Sequence, residues 1–134
     1  MQAYIIGIDL GGMSAKAALF DKEGRIVAKK SIVTNAADGF EGTAAKLAEV
    51  AKGVAQAAGA AFEDVEKIGI ASPGVVNSKT GVILKWSNYG WTDVPLGDTV
   101  AKLTGKKVCV VNDANAAAFG EAKFGSGSLY QSSI

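Results

Sequence analysis

Three apolar segments at the start of the chain, separated by turns too short to hold a helix, restrict the possible folds most strongly. They are Tyr4–Asp9 (YIIGID), Ala15–Asp21 and Arg25–Val33. Short runs that are rich in β-branched residues, or that alternate in polarity, are typical of strands. Because strands joined by tight turns run in opposite directions, these segments predict an antiparallel meander of three strands.

A long helix is predicted after the meander. Asp38 has the properties of an N-cap, with Glu41 three residues later as its capping-box partner. Apolar residues then recur every three or four positions up to Gly59, which can end the helix. Lys67–Ala71 is predicted to be a fourth strand, so a strand–helix–strand connection follows the meander.

The remaining sequence alternates between helices and strands. Residues 76–94 are rich in turn residues and contain both tryptophans, so we expect a loop or insertion there. Pro95–Gly105 is predicted to be a short helix, Lys107–Val111 a fifth strand and Ala114–Lys123 an alanine-rich helix. The order β-β-β-α-β-α-β-α therefore predicts an α/β fold with a mixed five-stranded sheet, in which right-handed crossovers follow the meander.

The composition is that of one globular domain. The chain has 134 residues, of which 49% are hydrophobic and 20% charged. A net charge of +1 gives no reason to expect nucleic acid or an acidic membrane as a partner. No apolar run approaches the roughly 18 residues that span a bilayer, so we expect a cytoplasmic protein. Cys109 lies in an apolar run and is predicted to be a buried hydrophobe rather than a reactive thiol.

The glycine turn after the first strand has the spacing Gly7-x-Asp9-x-Gly11-Gly12. A dinucleotide-binding fingerprint needs a helix directly after its glycines, whereas a strand and a hairpin follow here. Glycines between two strands instead let backbone amides approach a phosphate closely. Asp9 could then hold Mg²⁺ through water, and Lys16 could supply positive charge. An ordinary tight turn with an aspartate at the strand end explains the same residues.

A second polar feature, Asn112-Asp113, follows the predicted fifth strand directly. Open α/β sheets bind their ligands at the carboxyl ends of parallel strands. There Asp113 could orient a hydroxyl group and accept its proton, while Asn112 could exchange hydrogen bonds with neighbouring hydroxyls. Both residue types also favour helix N-caps, and one residue can serve both purposes.

Taken together, four segments closely resemble the ROK family of sugar kinases and related repressors, within the hexokinase–actin–heat-shock ATPase superfamily. They occur in the family's order and are IGIDLGG at 6–12, GIASPGVV at 69–76, NYGWTDVPL at 88–96 and VNDANAAAFGEAKFG at 111–125. The resemblance implies a ribonuclease H-like lobe. It also implies that residues 1–124 are an N-terminal kinase lobe and that residues 125–134 are a truncated connection to an absent C-terminal lobe.

The resemblance assigns the sugar-side residues. Asp113 would be the base that activates the primary hydroxyl of the sugar and would also bind it. Asn112, Gly74 and Asn88 would bind the sugar as well. Family members phosphorylate hexoses, commonly at the 6-position. Three nearby aromatic residues could wall the sugar cleft or simply pack in the interior: Trp86, Tyr89 and Trp91.

The resemblance also implies ATP and Mg²⁺ as cofactors. Asp9, Gly11 and Gly12 would face the phosphates and the metal, with Lys16 nearby. The family usually has threonine after the two glycines, where this chain has Met13, so a hydroxyl that could contact phosphate is lost. A structural zinc site, if present, would belong to the absent lobe.

Three functional classes remain at this stage. The first is a sugar kinase whose partners are a sugar and ATP, which acts as a homodimer, and whose first lobe is inactive by itself. The second is a transcriptional repressor, but repressors of the family carry a DNA-binding domain before the first strand, and only three residues precede Tyr4. The third is a non-catalytic sugar-binding protein, which Met13 makes conceivable. We expect the kinase, with neither nucleic acid nor membrane as a partner.

Overall fold

The computed structural model describes residues 3–113. This part of the chain forms eight strands and two α-helices, and neither helix combines the length and apolarity needed to cross a membrane. In chain order the elements are β1 (Tyr4–Leu10), β2 (Ser14–Phe20), β3 (Ile26–Val33), α1 (Gly39–Ala57), β4 (Val65–Ser72), β5 (Val75–Asn77), β6 (Val82–Trp86), β7 (Trp91–Val94), α2 (Leu96–Thr104) and β8 (Lys107–Asn112). The predicted helix Ala114–Lys123 and the connection 125–134 lie outside the described residues.

A mixed sheet of five strands forms the centre of the fold, in the order β3-β2-β1-β4-β8. β1, β2 and β3 are the predicted antiparallel meander. β4 pairs parallel with β1, and β8 pairs parallel with β4. The predicted mixed sheet is therefore confirmed. Because three parallel strands end at one edge, the residues that follow them are brought together there.

The hydrophobic core lies between this sheet and α1. Ile6, Ile8 and Leu10 alternate along β1 and are at most 3% exposed. α1 packs against the meander and buries Leu47 and Val54 completely. Truncating a fully buried leucine to alanine typically costs about 2–5 kcal/mol. The helix thus covers one face of the sheet, whereas short turns follow the carboxyl ends of β1 and β4.

A second sheet, in the order β5-β6-β7, occupies most of the region for which a loop or insertion was predicted, residues 76–94. Of the two predicted alternatives the loop was wrong, because the segment between β4 and α2 forms a small sheet. The strands are only three to five residues long, which is too short for a readable alternation of polarity. Trp86 pairs with Trp91 across β6 and β7, and both are 4% exposed. Packing of these large side chains against distant residues stabilises the sheet more than local strand preference does.

Asp38 is the N-cap residue of α1, as predicted, but the predicted capping box with Glu41 is absent. A capping box lies around the preceding 3-10 turn, where Asn35 Oδ1 accepts from the Ala37 N–H and the Asn35 N–H donates to Asp38 Oδ2. Asp38 makes no side-chain capping bond to α1, so its pairing with Glu41 was wrong. At the other end, Gly59 follows the helix with φ +71°, as expected of a terminating glycine.

Cys109 is exposed, which contradicts the prediction of a buried side chain. Its neighbour Val110 is fully buried on the core side of β8. Because side chains alternate along a strand, Cys109 points to the face opposite α1. An apolar run indicates that both faces of a strand favour burial, but it does not say which element covers each face.

Candidate active site

The carboxyl ends of β1, β4 and β8 lie side by side and carry several predicted site residues. The strand register pairs Asp9 with Ala71 and Ala71 with Val111. Since neighbouring strands are about 4.8 Å apart, the Cα atoms of Asp9 and Val111 are separated by roughly 10 Å. Asn112 ends β8, and Asp113 follows it as an exposed residue. The fold therefore brings Asp9, Asn112 and Asp113 to one edge of the sheet.

The two glycines of the turn between β1 and β2 have different surroundings. The Gly11 N–H donates to Ser14 O at 2.9 Å and closes the turn, and a Cβ at Gly11 would lie 3.3 Å from the same oxygen. A Cβ at Gly12 would meet nothing within 4 Å. Open space beside a glycine backbone is what the approach of a phosphate oxygen requires. The turn therefore fits a phosphate group, with Gly12 as its accessible member.

Asp9 and Lys16 are direct partners across the antiparallel pair β1 and β2. Directly paired residues lie on the same face, and both line a groove of about 1010 Å³ on the face opposite α1. Residues 3–113 contain no cluster of three or more acidic or sulfur ligands for a metal ion. A single carboxylate suits Mg²⁺, which keeps several waters and takes further ligands from phosphates. Asp9 and Lys16 thus fit the charged end of a metal-bound nucleotide.

Gly74 and Asn112 are joined by a hydrogen bond in which Asn112 Nδ2 donates to Gly74 O. Gly74 has φ +87°, and a Cβ there would overlap the carbonyl oxygen of Lys85. Only glycine satisfies both conditions, so the turn between β4 and β5 depends on it. The bond places a backbone carbonyl and an amide side chain together beside Asp113, a combination suited to hydroxyl groups.

Asn88 lies in a different turn from Gly74, the partner of Asn112. It is exposed in the 3-10 turn Ser87–Tyr89, which follows β6. Its neighbour Tyr89 points inward and stacks on Trp86 with ring centroids 3.9 Å apart. Trp91 meets both rings edge-on. Because all three aromatic residues are at most 9% exposed, the structure favours the packing interpretation over a cleft wall.

The hydroxyl of Tyr89 connects this turn to the glycine turn, a link that sequence reasoning missed. Tyr89 Oη lies 2.9 Å from Gly12 O and 3.0 Å from Thr34 Oγ1. The Thr34 N–H in turn donates to Met13 O at 3.0 Å. A buried tyrosine hydroxyl needs a polar partner, but the partners here are 55 and 77 residues away along the chain. No spacing in the sequence reveals such a contact.

The antiparallel meander, the two parallel strands and the phosphate-compatible hairpin define a lobe of the actin- and hexokinase-like fold. The chain belongs to the ROK family, whose sequence profile matches residues 5–134. A glucokinase from Thermotoga maritima is 37% identical over 124 residues, which are 92% of this chain and 38% of the relative. A xylose repressor from Caldicellulosiruptor bescii is 29% identical over 121 residues, 90% of this chain and 30% of the repressor.

A solved structure agrees with this assignment. The ROK family glucokinase from Streptomyces griseus, in complex with glucose and AMPPNP, is 36% identical and superposes with a TM-score of 0.81. The match covers 94% of this chain and 38% of the Streptomyces chain. The present chain thus spans less than half the length of each of these three proteins.

Proposed function

We propose that this chain is the N-terminal lobe of an ATP-dependent sugar kinase, which transfers the γ-phosphate of ATP to the 6-hydroxyl of a hexose. The observation that supports the proposal is the parallel register of β1, β4 and β8, by which Asp113 and the Gly11–Gly12 turn follow strands that end on the same side of the sheet. For phosphoryl transfer, the base that activates the sugar hydroxyl and the site that holds the ATP phosphates must be close enough for the hydroxyl to reach the γ-phosphate. The glucokinases among its relatives support the same assignment.

Asp113 acts as the general base. It hydrogen-bonds the sugar hydroxyl and takes its proton as the oxygen attacks the γ-phosphorus. Asn112, held by its bond to Gly74 O, orients the neighbouring sugar hydroxyls. Asn88 contributes to the same subsite from the second sheet. A positioned base of this kind typically accelerates a reaction by about 10²–10⁴-fold.

The glycine turn holds the phosphates. Gly12, whose side is open, offers its backbone to the phosphate oxygens, while Gly11 maintains the turn. Lys16 adds a positive charge on the same face as Asp9. Asp9 holds Mg²⁺ through water. When bound, the ion neutralises the charge that develops on the phosphates during transfer.

Residues 1–124 form the lobe, and residues 125–134 connect it to a C-terminal lobe that completes the sugar and ATP sites. The 38% share of the glucokinase's length supports the existence of a further lobe. The 134-residue chain alone is inactive, because closure of two lobes assembles the complete site. In the complete protein, which acts in the cytoplasm as a homodimer, any structural zinc belongs to the second lobe.

The decisive experiment compares two isosteric substitutions in the full-length gene product. Asp113→Asn should lower kcat by about 10²–10⁴-fold and change the Kd of the sugar only a few-fold, because the amide still forms hydrogen bonds. Asp64→Asn is the matched control, since Asp64 precedes β4 at the opposite edge of the sheet. The assay is steady-state phosphorylation of a hexose panel with MgATP. Turnover of Asp113→Asn equal to that of the control would exclude Asp113 as the base.

A sugar-responsive regulator is the second candidate, because a xylose repressor is among the relatives. Calorimetric titration of the full-length protein with hexoses and with MgATP separates the two functions. A kinase binds both the hexose and MgATP and converts them to sugar phosphate and ADP. A regulator takes up the sugar and shows neither nucleotide binding nor turnover.

A further inference from the structure

We infer that Tyr89, acting with Thr34, is a positioning residue that aims the backbone amides of the glycine turn at the phosphates of the nucleotide. The inference rests on the proposed function. Tyr89 lies in the same turn as Asn88, which is proposed to bind the sugar. Its hydroxyl nevertheless contacts Gly12, which is proposed to bind the nucleotide phosphates. The two halves of the site are thereby joined within one lobe.

The proton arrangement follows from the groups involved. A carbonyl oxygen can only accept, so the single phenolic proton of Tyr89 goes to Gly12 O at 2.9 Å. The Thr34 hydroxyl, 3.0 Å away, then donates to Tyr89 Oη, and Gly11 O at 3.5 Å is a weaker alternative acceptor for it. Both side chains are buried, Tyr89 at 9% and Thr34 at 2% exposure. Little water therefore competes for these bonds.

Tyr89 and Thr34 together lie close to the carbonyls of three successive residues. Tyr89 contacts that of Gly12, and Thr34 contacts those of Gly11 and Met13. In a trans peptide the carbonyl and the following N–H point in opposite directions. Holding the carbonyl of Gly12 toward Tyr89 therefore turns the N–H group of Met13, the next residue of the turn, away from Tyr89.

Thr34 is itself held firmly. The Lys46 ammonium donates to Val33 O at 2.9 Å and to Asp38 Oδ2 at 2.8 Å, which ties both sides of Thr34 to α1. The capping box of the next turn begins at Asn35. A rigid anchor is needed if the Tyr89–Thr34 pair is to orient the glycine turn rather than move with it.

The test uses the full-length protein with four variants. Tyr89→Phe and Thr34→Val each remove one hydroxyl, Thr34→Ser keeps it, and Tyr4→Phe removes a hydroxyl at the far end of β1. We expect Tyr89→Phe to raise the KM for ATP about five- to tenfold, the effect of one or two neutral hydrogen bonds, and to leave the KM for sugar within twofold. Thr34→Val should act similarly, Thr34→Ser should restore most of the loss, and Tyr4→Phe should have no effect.

The double variant Tyr89→Phe/Thr34→Val sharpens the test. Because both hydroxyls belong to one network, the fold-increase in its KM for ATP should be well below the product of the fold-increases in the two single variants. Multiplying effects, or an equal rise in the KM for ATP and for sugar accompanied by a lower unfolding midpoint, would indicate a purely structural role and overturn the inference.

A readout that does not depend on turnover separates this inference from the proposed function. Amide hydrogen exchange at Thr34 reports the bond from its N–H to Met13 O. Exchange there should be faster in Tyr89→Phe than in Tyr4→Phe, and calorimetry should show weaker ATP binding. If the wild type phosphorylates no hexose, the proposed function fails, while these two measurements still decide whether Tyr89 positions the turn. Unchanged exchange and unchanged ATP affinity would refute it.

Discussion

Gly74 offers the sharpest mutational test of the site's architecture, because its two structural demands can be separated. Its φ of +87° disfavours any side chain, and a Cβ would also overlap the Lys85 carbonyl in β6. Gly90 has a similar φ of +69°, but a Cβ there would meet nothing within 4 Å. Gly90→Ala therefore measures backbone strain alone, and Gly74→Ala measures strain plus overlap.

The expected magnitudes follow from these differences. A left-handed backbone costs a non-glycine residue about 1–2 kcal/mol, which is the prediction for Gly90→Ala. Overlap with a backbone atom forces shifts that cost a further 1–3 kcal/mol, by analogy with overpacked cores. Gly74→Ala should thus lower the free energy of unfolding by about 2–5 kcal/mol. Displacing Gly74 O should also break its bond with Asn112 and raise the KM for sugar.

Urea denaturation with a tryptophan fluorescence readout measures both variants, since Trp86 and Trp91 lie in the second sheet. The unfolding midpoints should fall in the order wild type, Gly90→Ala, Gly74→Ala, with unchanged m-values. Equal destabilisation by the two variants would show that the overlap is relieved without cost. The reasoning about the turn between β4 and β5 would then be refuted.

Two further predictions concern the surroundings of the glycine turn. Met13→Thr, at a side chain that is 82% exposed, should lower the KM for ATP several-fold without changing the unfolding midpoint, measured by steady-state kinetics; an unchanged KM would show that the hydroxyl is dispensable. The hydrogen bond from the Lys46 ammonium lowers the pKa of Asp38 below the ordinary aspartate value of 3.8. Desolvation of the carboxylate opposes this shift, and the positive charge of Lys46 adds to it. Because the folded pKa is the lower one, the stabilisation is present above the unfolded value and lost as pH falls through the folded pKa. The difference in unfolding midpoint between wild type and Asp38→Asn should therefore be largest above about pH 5 and disappear in acid, and a pH-independent difference would contradict this assignment.

The central sheet could be predicted because its signals are local. The turn between β1 and β2 is too short for any connection but an antiparallel one, and the apolar period of three to four residues identifies α1. The position of Asp113 after a strand also follows from neighbouring residues alone. The roles of Asp113, Asn88 and the glycine turn in catalysis remain predictions, and the proposed experiments test those of Asp113 and the glycine turn.

The second sheet, the exposure of Cys109 and the contacts of Tyr89 were not predictable in this way. Each depends on residues far apart in the chain, such as the 77 residues that separate Tyr89 from Gly12. Hydrogen bonds and aromatic packing at that separation leave no periodic trace in the sequence. The sequence by itself determined the order and type of the main elements and the chemical groups at the sheet edge. Only the tertiary structure decided which carbonyls the Tyr89 and Thr34 hydroxyls contact, because that depends on where the turn between β6 and β7 lies relative to the glycine turn.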